Sequence, residues 1–97
     1  MDQLVAAGGG LPALTIYSRP GCHLCDEMKA VVDLVARSVP CTIDIIDISD
    51  DPRLVARYGL EIPVLLINGS KAAKYRVTED ELRRILKARA LEARARG

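Results

Sequence analysis

Two cysteines three residues apart, Cys22 and Cys25, are the side chains of this sequence best suited to chemistry. They lie in Gly21-Cys22-His23-Leu24-Cys25-Asp26, where an apolar run ends and a helical pattern begins. The first turn of a helix leaves backbone N–H groups without partners and carries partial positive charge. A thiolate held there is stabilised, and its pKa falls from about 8.5 into a range of roughly 3.5–7.5. More thiolate at neutral pH makes a better nucleophile. Residues three apart on a helix sit on adjacent turns, so the two sulfurs can meet in a disulfide. Cys22, at the helix start, is expected to be exposed. Cys25 shares a stripe with Leu24, Met28 and Val32 and is expected to be more buried. This asymmetry makes Cys22 the attacking thiol, which forms a mixed disulfide, and Cys25 the resolving one, which attacks the Cys22 sulfur.

The other reactive side chains carry weaker signals. His23 lies between the thiols, where it reads as a solvent-facing spacer or as a group that tunes the thiolate near neutral pH. A closed zinc site needs about four ligands and is hard to assemble here, so no metal ligand is assigned. Cys41 opens an apolar strand and reads as a small buried hydrophobe. Asp44, Asp47, Asp50 and Asp51 read as strand-end polarity and helix capping rather than a metal cluster. The triplet Gly8-Gly9-Gly10 neither follows a strand nor opens a helix, so it is not a phosphate loop. The cations Arg83, Arg84, Lys87, Arg89, Arg94 and Arg96 read as a solvated helix face near the negative end of the helix dipole.

The chain has 97 residues, a net charge of +1 and 49% hydrophobic residues. That length suits one domain with one modest core. With no Phe and no Trp, the core must be built from Val, Ile, Leu and Ala. The near-neutral balance gives no reason to expect nucleic acid as a partner. No apolar run approaches the roughly 20 residues of a membrane span. Residues 1–12 make a poor signal peptide and read as a flexible lead-in to a domain over 13–97. The expected compartment is therefore the cytoplasm, where a Cys pair is more often catalytic or metal-binding than a structural staple.

The elements that must position the cysteines alternate along the chain. Residues 13–17 read as a strand, broken by Ser18-Arg19-Pro20-Gly21. From Cys22 to about Ser38 the apolar residues Leu24, Cys25, Met28, Val31, Val32 and Val35 fall at helical spacing. Residues 41–48 read as a second strand. A short helix follows, capped from Ser49-Asp50-Asp51, opened by Pro52 and ended at Tyr58. Gly59 fits a left-handed C-cap there, with Leu60 folding back onto the helix. The unbroken apolar run Val64-Leu65-Leu66-Ile67 suits a strand covered on both faces. Asn68-Gly69 signals a hairpin into a last strand over 71–77, with Ala73, Tyr75 and Val77 on one face. Thr78-Glu79-Asp80-Glu81 matches a capping box, opening a final helix whose stripe is Leu82, Ile85, Leu86 and Ala90. The result is an α/β domain in the order β-α-β-α-β-β-α, with a four-stranded mixed sheet and helices on both faces.

Three segments together resemble the glutaredoxin branch of the thioredoxin superfamily. They are Tyr17-Ser18-Arg19-Pro20-Gly21-Cys22-His23-Leu24-Cys25, then Ile62-Pro63 ahead of an apolar strand, then the Asn68-Gly69 hairpin. The likeness spans roughly 13–90 and is closest to short bacterial glutaredoxin-like proteins. It implies a thioredoxin-like fold and a thiol–disulfide oxidoreductase; the expected state is a monomer. No cofactor is tightly bound in this reading. Its substrates are disulfide-containing proteins or small molecules, and its reductant is glutathione or a thioredoxin-type reductase. The resemblance also implies that Pro63 is a cis-proline facing the thiols and that the Ile62 backbone pairs with substrate. Arg19 would meet a glutathione carboxylate, and Thr78 would take part in holding the γ-glutamyl end. The sequence departs from the glutaredoxin pattern in two places: His23-Leu24 stands where Pro-Tyr is usual, and Tyr75-Arg76-Val77-Thr78 stands where a Gly-Gly precedes the last helix. Two other readings stay open: an iron–sulfur or metal carrier using Cys22, and a non-catalytic interaction module on the same fold.

Overall fold

The computed structural model describes residues 11–96, and side-chain environments only as far as residue 91. All but Leu11 and Pro12 of the expected lead-in, and the side chains of Arg94 and Arg96, lie outside the described residues. The order of elements is β1 (Ala13–Ser18), α1 (His23–Ala36), β2 (Thr42–Asp47), α2 (Pro52–Tyr58), β3 (Val64–Ile67), β4 (Ser70–Lys74) and α3 (Glu79–Arg96). They form a thioredoxin-like fold.

The strands make one four-stranded sheet in the order β2-β1-β3-β4. The crossover through α1 leaves β1 and β2 parallel, with Leu14 opposite Ile43 and Ile16 opposite Ile45. β3 runs antiparallel to β1, with Ile16 opposite Leu65, and β4 runs antiparallel to β3. Asn68 and Gly69 both have positive φ, 51° and 84°, as the tight turn of a hairpin requires.

Side chains alternate across a strand, and this sheet uses both of its faces. On one face Leu14, Ile16, Leu65 and Ile67 pack with Met28, Val32 and Val35 of α1 and with Leu82 and Leu86 of α3. On the other face Val64 and Leu66 pack with Ile48, Ile62 and Tyr58 of α2. β3 is therefore buried along its whole length, as its unbroken apolar run predicts. β2 is an edge strand and remains mostly exposed, Ile45 and Ile46 included.

Several sequence expectations change in the structure. Gly59 is right-handed, with φ −54°, and Leu60 is 94% exposed instead of folding back. The glycine is needed for a different reason: a Cβ there would lie 2.5 Å from the Val55 carbonyl oxygen. Because that contact is backbone, a side chain must displace the helix end. Gly59→Ala is expected to cost about 1–3 kcal/mol, measurable by urea unfolding.

The last strand stops at Lys74, short of Val77. Its register slips between Leu65 and Leu66, which pair with Ala73 and Lys71. Tyr75 then takes a φ of 67°, so it leaves the face it was expected to share with Ala73 and Val77. Ala90 is exposed and drops out of the α3 stripe. Cys41 is half-buried, packed against the first core cluster. Desolvation by that burial pushes its thiol above the usual cysteine pKa.

Candidate active site

β1 delivers the chain to the C-terminal edge of the sheet, and the turn after Ser18 hands it to α1. Gly21, with φ 72°, makes the last bend, in a region that side chains with a Cβ rarely enter. Cys22 follows in extended conformation, φ −88° and ψ 107°, and caps α1. Its Sγ accepts the N–H of Cys25 at 3.1 Å. An oxygen does this at most helix starts; here a sulfur takes one of the unpaired donors.

Cys22 and Cys25 are joined in a disulfide, with Cα atoms 5.2 Å apart, inside the usual disulfide range. Cys25 is 5% exposed and belongs to the core cluster around Tyr58 and Ile62. Cys22 is half-buried and packs against that cluster from outside. Cys22, expected to be exposed, is thus only partly so, and Cys25 is the more sheltered of the two.

Across from the disulfide stands the loop from Leu60 to Pro63. The Ile62-Pro63 bond is cis, Pro63 is buried, and Ile62 is in the same cluster as Cys25. Among the described residues neither the N–H nor the carbonyl of Ile62 has a hydrogen-bond partner. The rings of Tyr17, which packs against the same cluster, and Tyr58, which belongs to it, lie 5.0 Å apart.

The remaining expected site residues are placed less centrally. Arg19 is exposed in the turn before Cys22. His23 is 88% exposed, with its Nε2 3.2 Å from a Glu27 carboxylate oxygen. The other oxygen of Glu27 lies 3.8 Å from Arg76. Thr78 lines a cleft of about 170 Å³ together with Glu27, Met28 and Arg76. Its polar groups are engaged within the protein: its N–H donates to Glu81 at 2.8 Å, and its hydroxyl accepts the Glu81 N–H at 3.1 Å. The sequence missed Glu27 as a link between His23 and Arg76. It also missed Tyr75, whose positive φ no residue type would have signalled.

The capping pair has consequences of its own. The Thr78 backbone N–H, and after it the Thr78 hydroxyl, holds the Glu81 carboxyl below its usual range. A carboxyl depressed in the folded state adds stability above its unfolded pKa and loses it as the pH falls through the lowered folded value. Thr78→Ala is expected to cost about 1 kcal/mol at neutral pH. Its deficit should shrink as the solution is acidified, as followed by circular dichroism.

A sequence model of the glutaredoxin-like domain (DUF836) matches residues 13–87, from the first residue of β1 into α3. The chain belongs to this glutaredoxin-like family. Solved structures share its fold. The X-ray structure of protein XcR50 from X. campestris is 34% identical, with a TM-score of 0.67 over 77% of this chain and 96% of that one. The solution structure of Ne2328 from Nitrosomonas europaea is 25% identical, with a TM-score of 0.70 over 88% and 98%. A malarial protein only 13% identical still gives a TM-score of 0.60 over 80% of this chain, which speaks to the fold alone. A glutaredoxin-like domain with a paired Cys22 and Cys25 fits a redox role. Among the described residues no helix is long and apolar enough to cross a membrane, and no three His, Cys, Asp or Glu side chains gather as a metal site.

Proposed function

We propose that this protein is a thiol–disulfide oxidoreductase in which Cys22 attacks and Cys25 resolves. The observation that carries the reading is the Cys22 sulfur capping α1 while Cys25 lies sheltered within disulfide reach. In the reduced enzyme the Cys22 thiolate attacks one sulfur of a substrate disulfide. An S–S bond forms between Cys22 and that sulfur, the substrate bond breaks, and the leaving thiolate takes a proton. Cys25, as thiolate, then attacks the Cys22 sulfur and releases the second substrate thiol. The enzyme is left with the Cys22–Cys25 disulfide, and two electrons from glutathione or a thioredoxin-type reductase restore it.

The substrate class in this reading is a disulfide-bonded protein or small molecule. The unpaired backbone groups of Ile62 supply a pairing edge beside the thiols, with Pro63 fixing the loop that carries it. Arg19 is the exposed cation nearest Cys22 in sequence and would meet a carboxylate of glutathione. Thr78 fits less well as a glutathione contact, because its donor and its hydroxyl already serve α3. The proposed setting is the reducing cytoplasm, with the protein acting as a monomer.

The test is reduction of a small glutathione mixed disulfide, coupled to NADPH through glutathione and glutathione reductase. Turnover is the expected result. If there is none, the assay is repeated with thioredoxin reductase; inactivity in both, with visible absorbance in freshly purified protein, would favour the iron–sulfur carrier.

A further inference from the structure

Tyr75 combines three observations that its sequence position does not explain. It is a non-glycine residue at φ 67°, a conformation that persists only where the surroundings hold it. Its N–H donates to the Pro63 carbonyl at 2.8 Å. Its hydroxyl donates to the Leu60 carbonyl at 3.0 Å. One side chain and one backbone group of the same residue therefore fasten both ends of the segment from Leu60 to Pro63. Between those two anchors lies Ile62, whose own N–H and carbonyl have no partner among the described residues.

The ring is only partly covered, with the Lys74 ammonium 5.4 Å from its centroid. Tyr75 is 42% exposed, and the side chain of Leu60, whose carbonyl it binds, is almost wholly in solvent. A local turn closes on Tyr75, with the Arg76 N–H donating to the Lys74 carbonyl at 2.8 Å, and the two hydrogen bonds to the loop hold the residue in that left-handed backbone. A second tie, the ion pair of Lys71 with Glu61 at 2.6 Å, reaches the same loop from β4, but an exposed pair of this kind contributes little.

Resting on the oxidoreductase reading above, we infer that Tyr75 is a positioning residue for the disulfide substrate: by clamping Leu60 and Pro63 it presents the Ile62 backbone, preorganised, to an extended segment flanking the substrate disulfide. It touches neither sulfur. Its contribution falls on binding of a substrate long enough to pair with Ile62, and a small reagent that meets only the Cys22 thiolate does not sense it.

The experiment compares wild type with Tyr75→Phe, which keeps the ring and removes only the hydroxyl. Two rates are read: reduction of a synthetic peptide disulfide over a range of concentrations, and alkylation of reduced Cys22 by iodoacetamide. The expected result is a KM raised about fivefold, in keeping with one lost hydrogen bond, at unchanged kcat and unchanged alkylation rate. An unchanged KM overturns the inference. So does an alkylation rate that falls in step with turnover, because the hydroxyl would then act on the thiol or on the fold as a whole. If wild type itself reduces no disulfide, the oxidoreductase reading fails and the inference fails with it. Wild-type turnover matched by Tyr75→Phe refutes the inference alone.

Discussion

Replacing Cys22 with serine is expected to abolish disulfide reduction, a fall of about a thousandfold or more, because a hydroxyl at the helix start is neither ionised nor nucleophilic at neutral pH. The effect should appear with every substrate and every reductant, since no later step can run without the mixed disulfide on Cys22. Cys25→Ser should behave differently. A glutathione mixed disulfide needs only the attacking thiol, and a second glutathione can release the product, so activity persists. A protein disulfide needs the resolving thiol, and there the variant should stall as a covalent adduct. The two variants are expected to differ because the two cysteines differ in setting: one caps α1 and is half-buried, the other is buried in the cluster with Tyr58 and Ile62. Equal loss in both variants with the glutathione substrate would contradict that assignment. The measurement is initial rate in the NADPH-coupled assay.

The largest expected effect on stability comes from Leu82→Ala. Leu82 has no exposed surface and joins α3 to the core formed by Met28, Val32 and Leu65. Truncating a fully enclosed leucine costs about 2–5 kcal/mol, from lost transfer energy and the cavity left behind. In a domain of this size that corresponds to a fall of roughly 10–25 °C in Tm. Leu91→Ala on the same helix is the control, because Leu91 is an exposed residue and its loss should be nearly neutral. Differential scanning calorimetry of the two variants decides whether α3 is held by this side chain.

Most of the fold was legible because local signals and the global arrangement agree. The helical spacing of Met28, Val32 and Val35 is the stripe that α1 buries. The unbroken Val64-Leu65-Leu66-Ile67 run is the strand covered by helices on both sides. Asp51 caps α2 through the N–H groups of Arg53 and Leu54, as its place before Pro52 suggests. The failures fall where tertiary contacts override local chemistry. The second strand is legible as a strand but not as an edge, which follows from its pairing with β1 alone and leaves Ile45 and Ile46 exposed. Gly59 looks like a left-handed cap because glycine is the usual one, yet what excludes a side chain there is the Val55 carbonyl. Period-two alternation places Tyr75 on a strand face, whereas the pairing with β3 ends at Lys74 opposite Val64 and Tyr75 turns away at a φ of 67°.

The candidate site divides along the same line. The pairing of Cys22 with Cys25 is readable because it depends on two sequence-local facts, a three-residue spacing and a helix start. The loop that faces them depends on contacts between segments more than ten residues apart, such as the Tyr75 hydroxyl on the Leu60 carbonyl. No local pattern announces such a contact. Thr78 shows the opposite case: its capping role was written in the sequence, and that role occupies the groups a ligand would need.

The most direct test of the account is to trap its intermediate. Reduced Cys25→Ser protein would be mixed with a small aromatic disulfide whose released thiolate is coloured, and the adduct located by peptide mass mapping. The account predicts one equivalent of thiolate released rapidly at pH 7 and the adduct on Cys22, with Cys41 modified far more slowly, since burial raises its thiol pKa. An adduct that forms on Cys41 as fast as on Cys22, or a Cys22 that reacts no faster than an ordinary thiol, would contradict it.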